Sequence, residues 1–219
     1  MKKCIILLWL LCCTLYAVAQ FDAQTTFYPF FMSTYNPAAA GQGKQLVASG
    51  SYRLQWLGIN NAPRTAYFQA QMPLLFKKTE HGIGIRFMND EIGLFANRTA
   101  GVQYAYKFKL GKGRLSVGAE LGFVSLTFSG DSVHLPTQGD YHNEGDQKIP
   151  MQEVSAMNFD MSAGMFYTSD SWAAGVSYSH ITRPTIALTD YSDFTVYGTL
   201  YTMASYRWYT KNKNFGIKP

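Results

Sequence analysis

Hydrophobic and polar residues alternate along most of the chain. In residues 99–110, every even position from Ala100 to Leu110 is apolar, while small or polar residues fill the odd positions. A repeat of two residues is that of a β-strand, whose successive side chains point to opposite faces. The same alternation predicts eight strands, in residues 45–56, 65–72, 82–87, 99–110, 115–123, 158–167, 172–179 and 195–208.

The polar face of these strands indicates which kind of sheet they form. Gly, Ser, Thr and Gln dominate it, whereas the exposed face of a soluble sandwich is rich in charge. Only 15% of the residues are charged, and there are 15 Tyr and 15 Phe. We therefore predict an all-β fold, an antiparallel transmembrane β-barrel of the outer-membrane type. Its apolar side chains should face lipid and its small polar ones the lumen.

The start of the chain predicts export. Lys2 and Lys3 precede an apolar run from Ile5 to Tyr16, and residues 17–19 (Ala-Val-Ala) form a small-x-small cleavage site. The chain then divides into a signal peptide, a periplasmic or lumen segment and the strands of the barrel, in residues 1–19, 20–44 and 45–219. We expect the mature protein in the bacterial outer membrane, in contact with membrane lipid.

Cysteine usage and charge argue against several functions. All three cysteines, Cys4, Cys12 and Cys13, lie in the predicted signal peptide. The mature chain therefore has no thiol for a disulfide, a cysteine–zinc site or a catalytic nucleophile. Loss of Lys2 and Lys3 with the signal lowers the formal charge from +5 to +3. The remaining basic residues are scattered along the sequence, which argues against binding of nucleic acid.

The predicted links between strands differ in length. Residues 111–113 and 168–170 are tight turns, whereas residues 130–155 form a long polar loop. Because outer-membrane barrels have short periplasmic turns and longer external loops, we expect this loop outside the cell. Its residues 140–145 are similar to part of a calcium loop, but position twelve is Met151 instead of the required acid. We predict a solvated acidic loop without a metal.

Charged residues on the polar faces are the candidate functional groups of the lumen. They are Arg53, Arg86, Lys107, Glu120 and Asp160. One interpretation is a charged constriction, built from Arg86, Glu120 or Asp160, that selects a solute. The other is a set of ion pairs that fills a narrow barrel, since charges inside a barrel need partners whatever its function. We favour the second.

Support for an enzyme is weak. Asp90 and Glu91 are adjacent carboxylates, but neighbouring strand residues point to opposite faces, and residues 89–93 are predicted to form a turn of Asn, Asp and Gly. Nucleophile-elbow, zinc-protease and phosphate-loop motifs do not occur in the sequence. We expect no enzymatic activity and no cofactor.

Short motifs follow one another in a defined order. An aromatic segment, residues 27–31, precedes Tyr-Asn-Pro-Ala-Ala-Ala-Gly in residues 35–41. Tyr-Arg-x-Gln-Trp follows in residues 52–56, and Asn-Asp-x-Ile-Gly in residues 89–93. In order and spacing these motifs resemble the PorP/SprF family of the type IX secretion and gliding systems of Bacteroidota. The positions that match the family pattern are Asn36, Pro37, Gly41, Tyr52, Arg53, Gln55, Trp56, Gly58, Pro63, Asn89, Asp90, Gly93, His180 and Pro184.

The resemblance implies an outer-membrane β-barrel that is not an enzyme. It implies work beside periplasmic ring and motor proteins, pairing in some systems with a peptidoglycan-binding lipoprotein, and export or attachment of surface cargo such as adhesins. Family members are longer and have more strands. We therefore expect the barrel to be C-terminally truncated in this chain, with about eight strands present.

Three functional hypotheses remain open. The first is a component of the secretion and gliding machinery that anchors or helps to export cargo. The second is an outer-membrane porin or solute-specific channel. The third is a secreted β-sandwich adhesin.

Overall fold

Strands make up most of the structure, a computed structural model that describes residues 22–130, 152–189, 192–209 and 216–217. The predicted signal peptide and most of the predicted long loop lie outside the described residues. The strands are β1 (Val47–Leu54), β2 (Arg64–Phe76), β3 (Thr79–Ile92), β4 (Phe95–Leu110), β5 (Gly113–Ser129), β6 (Glu153–Thr168), β7 (Trp172–Ser179), β8 (Thr185–Thr189), β9 (Ser192–Thr195), β10 (Thr199–Tyr206), β11 (Trp208–Tyr209) and β12 (Gly216–Ile217).

Eight of these strands form one antiparallel sheet, in the order β1-β2-β3-β4-β5-β6-β7-β10. They correspond one for one to the eight predicted strands. Strands β2 to β6 have 13 to 17 residues, more than the alternation alone predicts. Two-residue turns such as 77–78 and 111–112 allow pairing to continue to the strand ends.

The sheet buries polar side chains and exposes apolar ones, which is the reverse of the arrangement in a soluble domain. On β5, Ser116, Gly118 and Glu120 are buried on the concave face, while Val117 and Leu121 are exposed on the convex face. A continuous exposed apolar face is stable beside lipid, not beside water. The predicted orientation of the strands, apolar outward and small polar inward, is therefore confirmed.

The sheet curls around the N-terminal segment, which we define as residues 22–42. The Tyr67 hydroxyl of β2 donates to the Ala23 carbonyl, and the Tyr201 hydroxyl of β10 donates to Asp22 at 2.9 Å. Strands near opposite edges of the sheet thus contact adjacent residues of the same segment. The result is a curled half-barrel, which agrees with the predicted β-barrel class with eight strands present. Within the described part of the chain, neither edge, β1 or β10, pairs with a further strand.

Two local predictions were wrong. Residues 89–92 belong to β3 and not to a turn, because they pair with β4 and because the buried Asp90 carboxylate accepts a hydrogen bond from Thr65 at 2.6 Å. The last predicted strand begins too early. Its first four residues lie outside β10, because Thr195 ends a separate hairpin, β8–β9, and residues 196–198 form the link that follows it.

The two ends of the sheet carry different links. The short-turn end has the turns at residues 77–78, 111–112 and 169–171. The opposite, long-loop end has three longer links, in residues 55–63, 130–152 and 180–198, and one two-residue turn, at residues 93–94. The link lengths follow the predicted alternation except at residues 93–94, while the position of the long loop outside the cell stays a prediction. Among the described residues, no helix is long and apolar enough to cross a membrane.

Candidate functional site

The N-terminal segment lies on the concave face of the sheet. It contains three short helical stretches, at Tyr28–Phe30, Met32–Tyr35 and Pro37–Ala39. Short helical turns leave many backbone N–H and C=O groups without partners inside the segment, and buried groups of this kind need partners elsewhere. Polar side chains of the concave face supply them. On β7, for example, the Ser177 hydroxyl donates to the Tyr35 carbonyl at 2.5 Å.

Two glutamines hold the middle of the segment. The Gln69 amide donates to the Phe30 carbonyl at 2.5 Å and accepts from the Ser33 hydroxyl at 2.8 Å. Gln103 donates to the Ser33 carbonyl at 2.7 Å. Both glutamines are fully buried. The Gln and Ser residues of the polar strand faces thus serve as hydrogen-bond partners for a second layer of polypeptide.

Asn36, the first residue of the Asn-Pro-Ala-Ala-Ala-Gly motif, is fully buried. Its side-chain oxygen accepts from the Ala38 N–H at 3.0 Å and caps the turn that follows. Its amide nitrogen donates to the Met165 carbonyl at 3.0 Å and to the Val176 carbonyl at 3.4 Å. A carboxamide suits this position because it accepts and donates at once. Pro37 starts the turn, where a missing N–H is tolerated.

Beneath this motif the sheet has a row of residues with little or no side chain. We call it the small-residue row; strand pairing aligns its members across β3 to β7, and they are Gly82, Ala105, Gly118, Gly164 and Ser177. A Cβ atom on Gly118 would come within 2.5 Å of the Ala38 nitrogen, and one on Gly82 would collide with the Ala40 carbonyl. The row therefore lets the backbone of the motif rest directly on the backbone of the sheet.

Gly41 ends the motif in the left-handed region, with φ = 62°. A Cβ atom there would lie 2.7 Å from the Met72 carbonyl oxygen, so the position requires glycine. The Gly41 N–H donates to Gln71 at 2.8 Å, and the buried Lys107 ammonium group donates to the Gly41 carbonyl. The sheet therefore satisfies both polar backbone groups of this glycine.

Arg86 and Glu120 form a buried ion pair on the concave face. Arg86 Nε lies 2.7 and 2.8 Å from the two carboxylate oxygens of Glu120, and both side chains are less than a tenth exposed. Gln103 donates to the same carboxylate at 2.6 Å. Because the two charges neutralise each other and contact little water, this geometry favours the ion-pair interpretation over a solute-selecting constriction.

His180 connects the N-terminal segment to β6. It is fully buried; its Nδ1 lies 2.7 Å from the Asp160 carboxylate and its Nε2 3.2 Å from Asp22. Burial alone would lower the pKa of the imidazole, but hydrogen bonds to the two carboxylates raise the pKa of His180 to about 9. Burial raises the pKa of Asp22, yet the hydrogen bond and the charge of His180 hold that pKa below its usual value. The contact is thus ionic at neutral pH.

The chain after β7 turns toward the concave face. The Asp160 carboxylate accepts from the Thr182 hydroxyl at 3.0 Å, and the Pro184 carbonyl accepts from the Val196 N–H at 3.0 Å, which closes the base of the β8–β9 hairpin. A buried apolar cluster then joins this hairpin to the concave side of β5, through Val124, Leu126, Ile186 and Val196. The hairpin and the N-terminal segment together cover much of the concave face.

A second group of family-pattern residues lies at the long-loop end. Gly93, in the left-handed region with φ = 63°, donates its N–H to the Asn61 carbonyl at 3.1 Å. Pro63 is buried, and its carbonyl accepts from the Gln55 N–H at 3.1 Å. Asn89 continues this end of β3, beside the buried Asp90. These contacts fix the β1–β2 link against the neighbouring turn.

The other family-pattern residues are exposed. Four belong to this group: Tyr52, Arg53, Trp56 and Gly58. Trp56 is 68% exposed and has φ = 49°, a conformation that is uncommon for a bulky residue. The structure thus brings Asn36, Pro37, Gly41 and His180 together on the concave face and leaves these four apart from them.

Sequence reasoning missed Asp22 and the small-residue row. Asp22 gave no signal of its own, because a single acid after a signal peptide is ordinary. The row could have been found from the glycines at inward positions of neighbouring strands, once their register was known. Within the described residues, no group of three or more His, Cys, Asp or Glu side chains could hold a metal ion. The predicted acidic loop lies outside the described residues.

A curled antiparallel sheet with an apolar convex face and a buried polar network on its concave face defines a membrane protein of the β-barrel class. The profile of the family described as Type IX secretion system membrane protein PorP/SprF matches residues 17–219, and the chain belongs to this family. The family predicted from the motifs is therefore confirmed. It is a family of secretion-system membrane components, not of enzymes. No curated protein and no solved structure matches the chain.

Proposed function

We propose that the protein is an outer-membrane component of the type IX secretion and gliding machinery that anchors, or helps to export, specific surface cargo such as adhesins. The family match supports the secretion role. The filled concave face supports the more specific part. Because the N-terminal segment and the β8–β9 hairpin occupy the space that a solute path would need, the fold is better suited to holding protein partners than to conducting solutes.

The same proposal includes partners and processing. The partners are periplasmic components, namely a peptidoglycan-binding lipoprotein and the ring and motor proteins, together with the exported cargo. Cleavage after Ala19 would leave Gln20 as the first residue, two positions before Asp22. The hydrogen bonds of Asp22 to His180 and Tyr201 support a mature N-terminus that is held at the concave face. We assign the protein no catalytic role.

Deletion of the gene tests the proposal directly. The deletion strain should lose particular surface proteins, measured by mass spectrometry of the cell surface, while it grows normally on limiting nutrients. Affinity purification of the intact protein from detergent should recover periplasmic machine proteins or a large adhesin. Loss of growth on a particular nutrient, with an unchanged set of surface proteins, would contradict the proposal.

The porin alternative makes the opposite prediction for planar bilayers. A porin should give stepwise ion conductance, and substitution of Arg86, Glu120 or Asp160 should change its selectivity. With the concave face filled as described, we expect no such conductance from the intact protein.

A further inference from the structure

The short-turn end of the sheet is strongly basic. Among the described residues, six basic ones lie in or beside its turns, against two acidic ones; the basic residues are Lys77, Lys78, Lys109, Lys112, Arg114 and Arg207, and the acidic ones are Glu80 and Asp170. The described residues of the long-loop end are balanced. They comprise Arg53, Arg64, Arg98 and Arg183 against Asp90, Glu91, Glu153 and Asp193. In the part of the chain that the structure describes, positive charge is thus concentrated at one end of the half-barrel.

Four of these basic residues are lysines, and none of the four forms an ion pair with a described residue. Arg114 pairs with Glu80 at 2.5 Å, and the Lys77 ammonium group lies 5.4 Å from the centre of the Phe76 ring. The other three lysines are exposed to solvent: Lys78, Lys109 and Lys112. Lys78 and Lys112 lie on two-residue turns and Lys109 lies near the end of β4, so all three place positive charge at this end of the sheet.

An aromatic belt lies next to these lysines on the convex face. Phe76, Tyr104 and Tyr106 are grouped around His81, whose Nδ1 lies 2.7 Å from the Tyr104 hydroxyl, and Phe108 packs beside Tyr106. Farther along the same end, the rings of Tyr167 and Trp172 are 4.7 Å apart. Rings with a polar atom favour the boundary between lipid headgroups and acyl chains. The belt therefore places the basic turns at the level of the headgroups.

We propose that the short-turn end binds the phosphate groups of anionic phospholipids in one leaflet. Lys78, Lys109 and Lys112 pair with the headgroup phosphates, while the aromatic belt packs against the upper part of the acyl chains. An acidic protein surface would also attract these lysines, but it would not require aromatic rings beside them on the face that meets lipid. The proposal rests on the membrane location of the family and not on the proposed role in cargo export.

Native mass spectrometry of the intact protein tests this site. Detergent-purified protein is mixed with equal amounts of phosphatidylglycerol and phosphatidylcholine, and the bound lipids are counted. We expect a preference for phosphatidylglycerol that falls by about tenfold or more in the triple variant K78Q/K109Q/K112Q, since each cation near an anionic surface contributes measurably to binding. The matched control, R53Q/R64Q/R183Q, removes the same charge from the long-loop end and should keep the preference.

Three results would overturn the proposal. One is a wild-type protein with no preference between the two lipids, or with a preference that does not weaken as the ionic strength is raised; this measurement needs no variant. Another is an equal loss of preference in both triple variants. The last is an unchanged lipid preference in K78Q/K109Q/K112Q together with the loss of a co-purifying periplasmic protein, which would assign the lysines to an acidic protein surface.

Discussion

Gly118 and Ala38 are in backbone-to-backbone contact: a Cβ atom on Gly118 would lie 2.5 Å from the Ala38 nitrogen. The contact joins the centre of the sheet to the centre of the Asn-Pro-Ala-Ala-Ala-Gly motif. Because neither side is a flexible side chain, the clash of an added methyl group could be relieved only by moving one of the two backbones.

The variant Gly118→Ala should therefore displace the N-terminal segment. We expect a loss of about 1–3 kcal/mol, the usual cost of overpacking, and faster chymotrypsin cleavage within residues 27–31. Gly50→Ala is the control, since the nearest atom to an added Cβ at that outward position is 3.8 Å away. Cleavage of the Gly118→Ala variant at the wild-type rate would show that the segment does not depend on this contact.

Removal of one charge from the Arg86–Glu120 pair should be strongly destabilising. The variant Glu120→Gln leaves the buried Arg86 guanidinium without its counter-charge, and we expect a loss of about 3–5 kcal/mol. Unfolding by denaturant in detergent, followed by tryptophan fluorescence, measures it.

The double variant Arg86→Met/Glu120→Leu tests whether the pair does more for stability than neutralise two buried charges. Because it removes both charges together, it should recover most of the stability that Glu120→Gln loses. If the double variant were as unstable as the single one, the pair would have a structural role beyond mutual neutralisation.

Stability should depend on pH through His180. Its pKa is raised from 6.5 to about 9, so the stabilising contribution of the cationic ring is complete below pH 6.5 and is lost as the pH rises toward 9. The pKa of Asp22 is lowered from 3.8, so its contribution is present above that value and is lost in stronger acid. Protease resistance of the N-terminal segment should thus decrease between pH 6.5 and 9.

His180→Asn is the control for this dependence, because an amide keeps hydrogen-bonding capacity without a titration. The decrease between pH 6.5 and 9 should be absent from that variant. An identical pH profile in the wild type and in His180→Asn would assign the dependence to another group.

The convex face should tolerate charge only near its ends. Val102 lies mid-strand on β4 and is 63% exposed, so Val102→Lys would place an ammonium group among acyl chains and should cost about 2–4 kcal/mol in liposomes. Leu110, exposed on the same face at the end of β4, is the matched position, and Leu110→Lys should cost about 0–1 kcal/mol. Equal costs at the two positions would mean that the convex face does not meet a bilayer.

The sheet was predictable because lipid imposes a strict rule on each strand. Every second residue must be apolar over the whole span, so even short stretches such as 82–87 reveal a strand. The ends of strands were less predictable. Residues 89–92 contain polar groups that usually mark a turn, but Thr65 on the neighbouring strand supplies a partner for Asp90, and pairing continues.

The contents of the concave face were not predictable from the pattern. The β8–β9 hairpin carries no clear alternation, because its position depends on Asp160 contacts and on packing against β5. The partners of the inward charges could not be predicted either, because residues such as Asp22 and His180 are 158 positions apart in the sequence. The inward Gln and Ser residues were predicted to face the lumen, and the pattern did not show that Gln69, Gln103 and Ser177 bind backbone there.

The small-residue row has a consequence for assembly. Its five members lie in line only when every neighbouring pair of strands from β3 to β7 is in its present register. A slip of two residues along β5 would bring Ser116 or Glu120 to the place of Gly118, and the motif could no longer lie flat. The N-terminal segment can therefore dock only when these strands are in their native register. Docking thus stabilises the correctly paired sheet relative to sheets in which a strand has shifted.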